Sequence, residues 1–346
     1  MTLDDVREAR RRIAPAIRPT PLMQHPLLSE EFGCQVWVKH ENHNPTGAFK
    51  VRGGVNLMSR IAEAGACPGV ITASTGNHGQ SIAFGSRRFG IPCTVAVPLG
   101  NNPEKNAAIR ALGATVLETG RDFDEAREEV ERLCRERGLR YIHSGNEPHL
   151  ISGVATYALE AFEELPDPDY IFVPIGGGSG ACGCCLVRTL LGSSAKVIGV
   201  QAERADAFTR SWRGPERVVG TSADTFAEGL ATRVTFDMTF DMLKRELEDI
   251  VTLSEDELAE GVRLALRATH NLAEGAGGAA LMAAMKWQDR LRGKKTICVM
   301  SGGNIDARTL RRVLEQGLGT PNQARSEAST RIEQGWVSDD GPTIVR

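Results

Sequence analysis

One lysine stands out for its neighbours. Lys50 closes the run Thr46, Gly47, Ala48, Phe49 within NPTGAFKVRG, shortly after the apolar segment Val36–Lys39. Pro45 and Thr46 can turn the chain and cap a helix that starts near Gly47. The dipole at a helix N-terminus disfavours the charged form of a nearby lysine. A neutral lysine amine is the nucleophile that condenses with a carbonyl group, whereas the bland alternative is an ordinary solvated lysine. A second polar run, Ser74–Gln80 (STGNHGQ), follows Val70–Ala73. N–H groups and hydroxyls at a helix start receive a carboxylate or a phosphate; a simply capped turn, with His78 as a turn residue, reads the same way. The third run, Ile175–Gly183 (IGGGSGACG), packs Gly176, Gly177, Gly178 and Gly180 after a strand and before a helix. So many glycines cost more chain entropy than a turn requires, which points to a backbone cradle for a phosphate. The fourth, Ser301–Asn304 (SGGN), lets a flat ligand lie close to the backbone.

These runs share one context. Short β-branched segments, at Val36–Lys39, Val70–Ala73, Thr94–Pro98, Thr115–Leu117, Tyr170–Pro174, Lys196–Gln201 and Thr296–Met300, read as strands buried on both faces. Helical periodicity fills the intervals at Val55–Ala64, Gly79–Phe89, Glu104–Leu112, Asp122–Arg137 and Ile151–Glu164, then at Glu255–Ala268, Ala276–Trp287 and Ala307–Gly317. Such alternation gives an α/β protein with parallel sheets and right-handed crossovers. In these sheets ligands bind beyond the carboxyl ends of the strands, which is where all four runs fall.

Composition narrows the function classes. The 346 residues carry 41 basic and 44 acidic side chains, a formal charge of −3, so no basic excess steers nucleic acid or an anionic membrane. No apolar run reaches the roughly 18 residues of a membrane span. The N-terminus MTLDDVREARRR is charged and helix-like and lacks a secretion-signal core, so a cytoplasmic location is expected. The 8 cysteines do not read as a disulfide framework there. Cys182, Cys184 and Cys185 read as small buried helix residues, since no paired CxxC or histidine spacing accompanies them, and no metal site is expected. The 37 glycines exceed the roughly 24 expected at about 7 % usage, and the excess concentrates in the four runs.

One rival uses the same glycines. Gly178, Gly180 and Gly183 spell GxGxxG, with Glu203 beyond the next strand, as in an NAD-dependent oxidoreductase. That reading leaves the lysine run and STGNHG without a role. Taken together and in order, NPTGAFKVRG, STGNHGQ, GGGSG and SGGN resemble the fold type II pyridoxal-phosphate (PLP) enzymes over roughly residues 5–318. The nearest group is the threonine/serine dehydratases, with serine racemase more distant. The stretches AEGLAT and ATHNLAEGAGGAAL, which contains Glu274, look most like the subgroup associated with hydroxyectoine utilisation.

The resemblance implies two open, mainly parallel twisted sheets flanked by helices, as in the tryptophan synthase β-like fold. A large PLP-binding domain is expected over 1–50 and 146–318, with a small inserted α/β domain over 51–145 and a polar tail over 319–346. A homodimer is expected from the family. The resemblance also implies roles. Lys50 would carry the cofactor and later move the α-proton, and Phe49 would pack on the pyridine ring. Gly176, Gly177, Gly178, Ser179 and Gly180 would bind the phosphate, and Asn77 the ring hydroxyl. Ser301 would face the ring nitrogen, with Glu274 also at the cofactor. Ser74, Thr75, Gly76 and His78 would receive the substrate carboxylate. The implied reaction removes the α-proton and the β-hydroxyl of a hydroxy amino acid such as threonine or serine, releasing a 2-oxo acid and ammonia. Other hydroxy amino acids (3-hydroxyaspartate, a hydroxyectoine-derived one) are alternatives, as is racemisation. Thr75 stands where the racemase has a serine base, and its β-branch restricts χ1, which argues against racemisation. Gln201 and Ala207 replace the two acidic residues of the racemase cation site, so that site is expected to be absent. Arg233, after AEGLAT, reads as a surface arginine, with contact to an acidic substrate as the alternative.

Overall fold

The computed structural model describes residues 1–121 and 123–316. The tail expected over 319–346, the last residues of the large domain, the Gly317 end of one helix and the Asp122 start of another lie outside the described residues.

The ten strands are β1 (Leu22–Gln24), β2 (Gln35–His40), β3 (Val70–Ala73), β4 (Cys93–Val97), β5 (Thr115–Glu118), β6 (Arg140–Tyr141), β7 (Tyr170–Pro174), β8 (Lys196–Ala202), β9 (Asp249–Leu253) and β10 (Lys295–Met300). They form two sheets, ordered β1-β2-β10-β7-β8-β9 and β5-β4-β3-β6. Every pairing is parallel except the edge pair β1–β2. The α/β class with two mainly parallel sheets is therefore as expected. Val36, Val38, Phe172, Ile198, Val200, Cys298 and Met300 build a core beside the larger sheet, and Ile71, Ala73, Ala96, Val130 and Leu133 one beside the smaller. In the larger sheet those residues occupy alternate strand positions, and the intervening Ile171, Val173, Val197, Ile297 and Val299 pack into another core, so its central strands are buried on both faces.

Three strands escape the sequence pattern. β1 and β6 are too short to show a period. β9 is apolar and β-branched but lies between helices Asp237–Glu246 and Glu255–Thr269 without Gly or Pro boundaries. The stretch expected as one helix over Ile151–Glu164 is two, Pro148–Val154 and Thr156–Glu164. One helix, Lys50–Glu63, joins the start expected near Gly47 to the periodicity from Val55. Gly53 and Gly54 are therefore helical packing positions. A Cβ on Gly53 would lie 2.7 Å from the Leu150 carbonyl, and one on Gly54 2.3 Å from Ser81 Oγ. This helix thus passes tightly between helices Pro148–Val154 and Asn77–Phe89. No helix among the described residues is long and apolar enough to cross a membrane.

Candidate active site

The four glycine-bearing runs meet at the carboxyl ends of β2, β3, β7 and β10. Gly47 turns the chain with φ +67, and Lys50 is the first residue of its helix. Thr46 does not cap that helix, since its buried Oγ1 has no partner, and Phe49 at the cap makes no side-chain bond. The turn is held instead by the neighbouring loop. Phe49 N–H donates to the Ser301 carbonyl at 3.0 Å and Gly303 N–H to the Gly47 carbonyl at 2.9 Å, with a bridge between Ala48 and Gly302. Ser81 Oγ donates to the Lys50 carbonyl at 2.6 Å. Lys50 Nζ is half-buried and donates to Ser179 Oγ at 2.7 Å. Burial pulls its pKa down to about 8, against a raising influence from the Cys182 sulfur. Desolvation thus supplies the depression that the sequence pattern assigns to the helix dipole.

Two sets of backbone donors face this amine. Helix Ser179–Leu190 starts after Gly178, whose φ of +87 favours glycine. Among the described residues the N–H groups of Gly176, Gly177, Gly178, Ser179 and Gly180 donate to no protein acceptor. A Cβ on Gly176 would stand 2.1 Å from the Gly229 carbonyl, and one on Gly177 2.6 Å from the Phe236 ring. At the second loop, Ser74 Oγ accepts from Gly76 N–H (3.2 Å) and Gly79 N–H (2.9 Å) and so shapes the turn. The N–H groups of Thr75, Asn77 and His78 donate to no protein acceptor among the described residues. Unsatisfied donors of this kind at helix starts are anion sites. His78 is buried, with one ring nitrogen 3.4 Å from the Ile142 carbonyl and Nδ1 without a partner. Burial, then the Lys50 charge, pull its pKa to about 3, so the ring is neutral and adds no positive charge to this receptor.

A polar chain joins the remaining residues. Asn77 Nδ2 donates to Glu274 Oε1 at 2.6 Å and Asn77 Oδ1 accepts from Asn304 Nδ2 at 2.8 Å. Asn304 also donates to the Thr46 carbonyl at 2.8 Å. The Asn77 amide keeps one N–H for another acceptor. Burial raises the Glu274 pKa, opposed by Lys105 and by the Asn77 bond. A Cβ on Gly302 would lie 2.6 Å from Glu274 Oε1, so any side chain there would displace that carboxylate.

One cavity of about 560 Å³ collects Phe49, Lys50, Ser74, Thr75, Gly76, Asn77, His78, Gly176–Gly180 and Glu274 on its walls. Ser301 is not on them. It is 4 % exposed, with its carbonyl taken by Phe49 N–H. Phe49 stands edge-on to Tyr157, ring centroids 6.0 Å apart, and close against Gly180.

Several wall residues carry no signal in the sequence. The segment from Thr221 to Phe236 closes one side, and Arg233 belongs to that wall rather than to open surface. Lys105 and Glu228 form an ion pair at 2.5 Å beside Gly76. Glu228 lies in the singled-out AEGLAT stretch, while nothing in the sequence marks Lys105. Cys182, Cys184 and Cys185 are buried free thiols whose pKa values burial raises. Gln201 Oε1 accepts from Thr209 N–H and Oγ1, both at 2.8 Å, so its amide ties down helix Ala207–Arg213. Glu203 of the dinucleotide reading is exposed on a 3₁₀ turn and absent from the cavity wall.

The donor set suits a flat phosphorylated carbonyl compound. A depressed-pKa amine stands 2.7 Å from the residue that opens a ring of free N–H groups, with a second anion receptor alongside. Comparison with known proteins agrees. The chain is 37 % identical to an L-threonine ammonia-lyase of Thermotoga maritima over 320 residues, covering 92 % of this chain and 79 % of that one. The solved processed form of threonine deaminase isoform 2 from Solanum lycopersicum superposes with a TM-score of 0.83 at 28 % identity, covering 91 % and 94 %. A PLP-dependent aspartate racemase does so with a TM-score of 0.84 at 30 % identity, covering 90 % and 98 %. The family model described as pyridoxal-phosphate dependent enzyme matches residues 13–303, which sets the NAD reading aside: the chain belongs to that family and uses PLP.

Proposed function

We propose that this enzyme is an ammonia-lyase that removes water from a β-hydroxy L-amino acid such as threonine or serine, the unsaturated amine so formed then taking up water and releasing ammonia to yield a 2-oxo acid. The observation that carries the reading is the Lys50 amine set between two unsatisfied N–H receptors, in a chain similar to threonine ammonia-lyase.

PLP, when bound, withdraws electrons from the substrate Cα and makes its proton removable. The chain's own residues supply the rest. The N–H groups of Gly176–Gly180 take the phosphate, and those of Thr75, Asn77 and His78 take the substrate carboxylate. Asn77 donates its remaining N–H to the ring hydroxyl, held in place by Glu274 and Asn304. Phe49 bounds the ring's site, its N–H held by the Ser301 carbonyl, and the Ser301 hydroxyl is assigned to the ring nitrogen from the family resemblance rather than from the cavity wall. Lys50 Nζ anchors the cofactor and, with its lowered pKa, accepts the α-proton near neutral pH. The Ser74 hydroxyl fixes the carboxylate turn, and the Thr75 hydroxyl lies at the substrate.

We further infer a cytoplasmic homodimer, with the unit over 51–145 as a small inserted domain. Racemisation is the second reading, favoured by the likeness to an aspartate racemase and by a hydroxyl at Thr75. A panel of β-hydroxy amino acids assayed for 2-oxo acid release and for change of configuration tests both. Release of 2-oxobutyrate or pyruvate is expected; dominant D-amino acid would reverse the order.

A further inference from the structure

Arg52 follows Lys50 by two residues on the same helix, about 200° around its axis, and reaches into the interior rather than the cavity. It is 0 % exposed, as are Lys39 and Glu41, while Glu160 is 5 % exposed. The guanidinium donates through Nε to Glu41 Oε2 (2.7 Å) and through one terminal nitrogen to Glu160 Oε1 (2.6 Å) and Thr156 Oγ1 (3.1 Å). Its other terminal nitrogen donates to Glu41 Oε1 (3.0 Å) and Glu160 Oε2 (2.9 Å). Lys39 Nζ donates to Glu160 Oε2 at 2.7 Å and to the Thr20 carbonyl at 2.6 Å. Thr20 Oγ1 and Asn44 Nδ2 complete the shell of Glu41 at 2.5 and 2.7 Å. Two cations meet two carboxylates with every charge hydrogen-bonded, which is the condition for burying them.

None of these four charged residues lines the cavity. Together they tie β2, the 3₁₀ turn Glu41–His43 and helix Thr156–Glu164 to the first turn of helix Lys50–Glu63. That first turn has no capping side chain of its own. A forked guanidinium locked to two carboxylates fixes the rotation of the turn, which a point charge on a flexible stem does not. Rotation of the turn is what aims Lys50 at Ser179.

We propose that Arg52 is a positioning residue for Lys50, the buried Arg52–Glu41–Glu160–Lys39 network setting the rotation of the first helical turn and so holding the amine where the cofactor carbonyl must come. This rests on PLP attaching at Lys50.

Two readouts on cofactor-free protein test it: the affinity for added PLP, and the pH dependence of Lys50 acetylation by acetic anhydride, followed by peptide mass spectrometry. Arg52→Lys keeps the charge and loses the fork. It is expected to weaken PLP binding at least tenfold and to move the midpoint of Lys50 labelling by half a pH unit or more. Thr156→Val removes one of the guanidinium's bonds, together with the hydroxyl's own bond to the Gly153 carbonyl (2.7 Å), and is expected to weaken binding about threefold. Leu264→Ala, a core change remote from the network, controls for destabilisation and should leave both readouts as in wild type. The proposal is overturned if Thr156→Val and any folded Arg52→Lys protein bind PLP within twofold of wild type and label Lys50 with the wild-type profile. If Arg52→Lys does not fold, Thr156→Val decides alone by that criterion. A wild type that binds no PLP would instead overturn the functional reading.

Discussion

Replacing Lys50 with methionine should stabilise the cofactor-free protein, by an amount that depends on pH in a defined sense. Burial lowers the Lys50 pKa from 10.5 to about 8. At about 1.36 kcal/mol per decade, holding the charged amine in the folded protein costs roughly 3 kcal/mol. Below about pH 8 both folded and unfolded chains hold the proton, and the full cost is present. Between about pH 8 and 10.5 only the unfolded chain holds it, so wild-type stability climbs with pH. At pH 9.5 roughly 1.4 kcal/mol of the cost remains. Urea denaturation of wild type and Lys50→Met, without cofactor, at pH 7 and pH 9.5 reads this directly. The loss of the 2.7 Å bond to Ser179 and the added apolar contact shift the difference equally at both values. The stability gap should therefore narrow by about 2 kcal/mol from pH 7 to pH 9.5. A gap that stays constant, or that widens, would refute a desolvated amine at this site.

Three further outcomes follow from the geometry. Gly176→Ala sets a Cβ 2.1 Å from a backbone carbonyl in the phosphate cradle. At a cost of about 2 kcal/mol it should weaken PLP binding roughly 30-fold by equilibrium titration. Glu274→Gln should gain stability relative to wild type as pH rises from 4 to 8. The raised carboxyl pKa gives wild type a contribution that is complete at acid pH and lost as pH rises through the folded value; melting curves across that range check the sign. Treatment with a chelator should leave turnover within twofold, because Gln201 already commits its amide oxygen to Thr209; activity that vanishes and returns with magnesium would contradict this.

The strand–loop order was legible because buried parallel strands are short, apolar and punctuated by Gly or Pro, and because glycine-dense loops follow four of them. That order brings Lys50, Asn77 and Gly176–Gly180 to one cavity, and the family resemblance adds Glu274. Legibility stopped where position depends on the third dimension. The tight packing of Gly53 and Gly54 has no local signal, for only in the fold would a Cβ at either meet neighbouring backbone at under 3 Å. Nothing in the sequence pairs Lys39, Glu41, Arg52 and Glu160, since residues up to 121 positions apart must meet before their burial is tolerable. The wall over Thr221–Phe236 carries no periodicity, Lys105 acquires meaning only from the cavity it borders, and the same cavity moves Arg233 from its surface reading to the wall. Ser301 belongs to a recognisable motif yet lies off the cavity wall, so the wall alone says nothing of its role.

Attachment of PLP at the Lys50 amine underlies every role given to the surrounding residues. Wild type and Lys50→Ala, each mixed with PLP, reduced with borohydride and digested, read this by peptide mass spectrometry and visible absorbance. Attachment at Lys50 predicts a visible band in wild type that reduction removes, a mass gain confined to the peptide containing Lys50, and neither signal in Lys50→Ala. A colourless wild type, or a mass gain on another lysine with Lys50 unmodified, would contradict it.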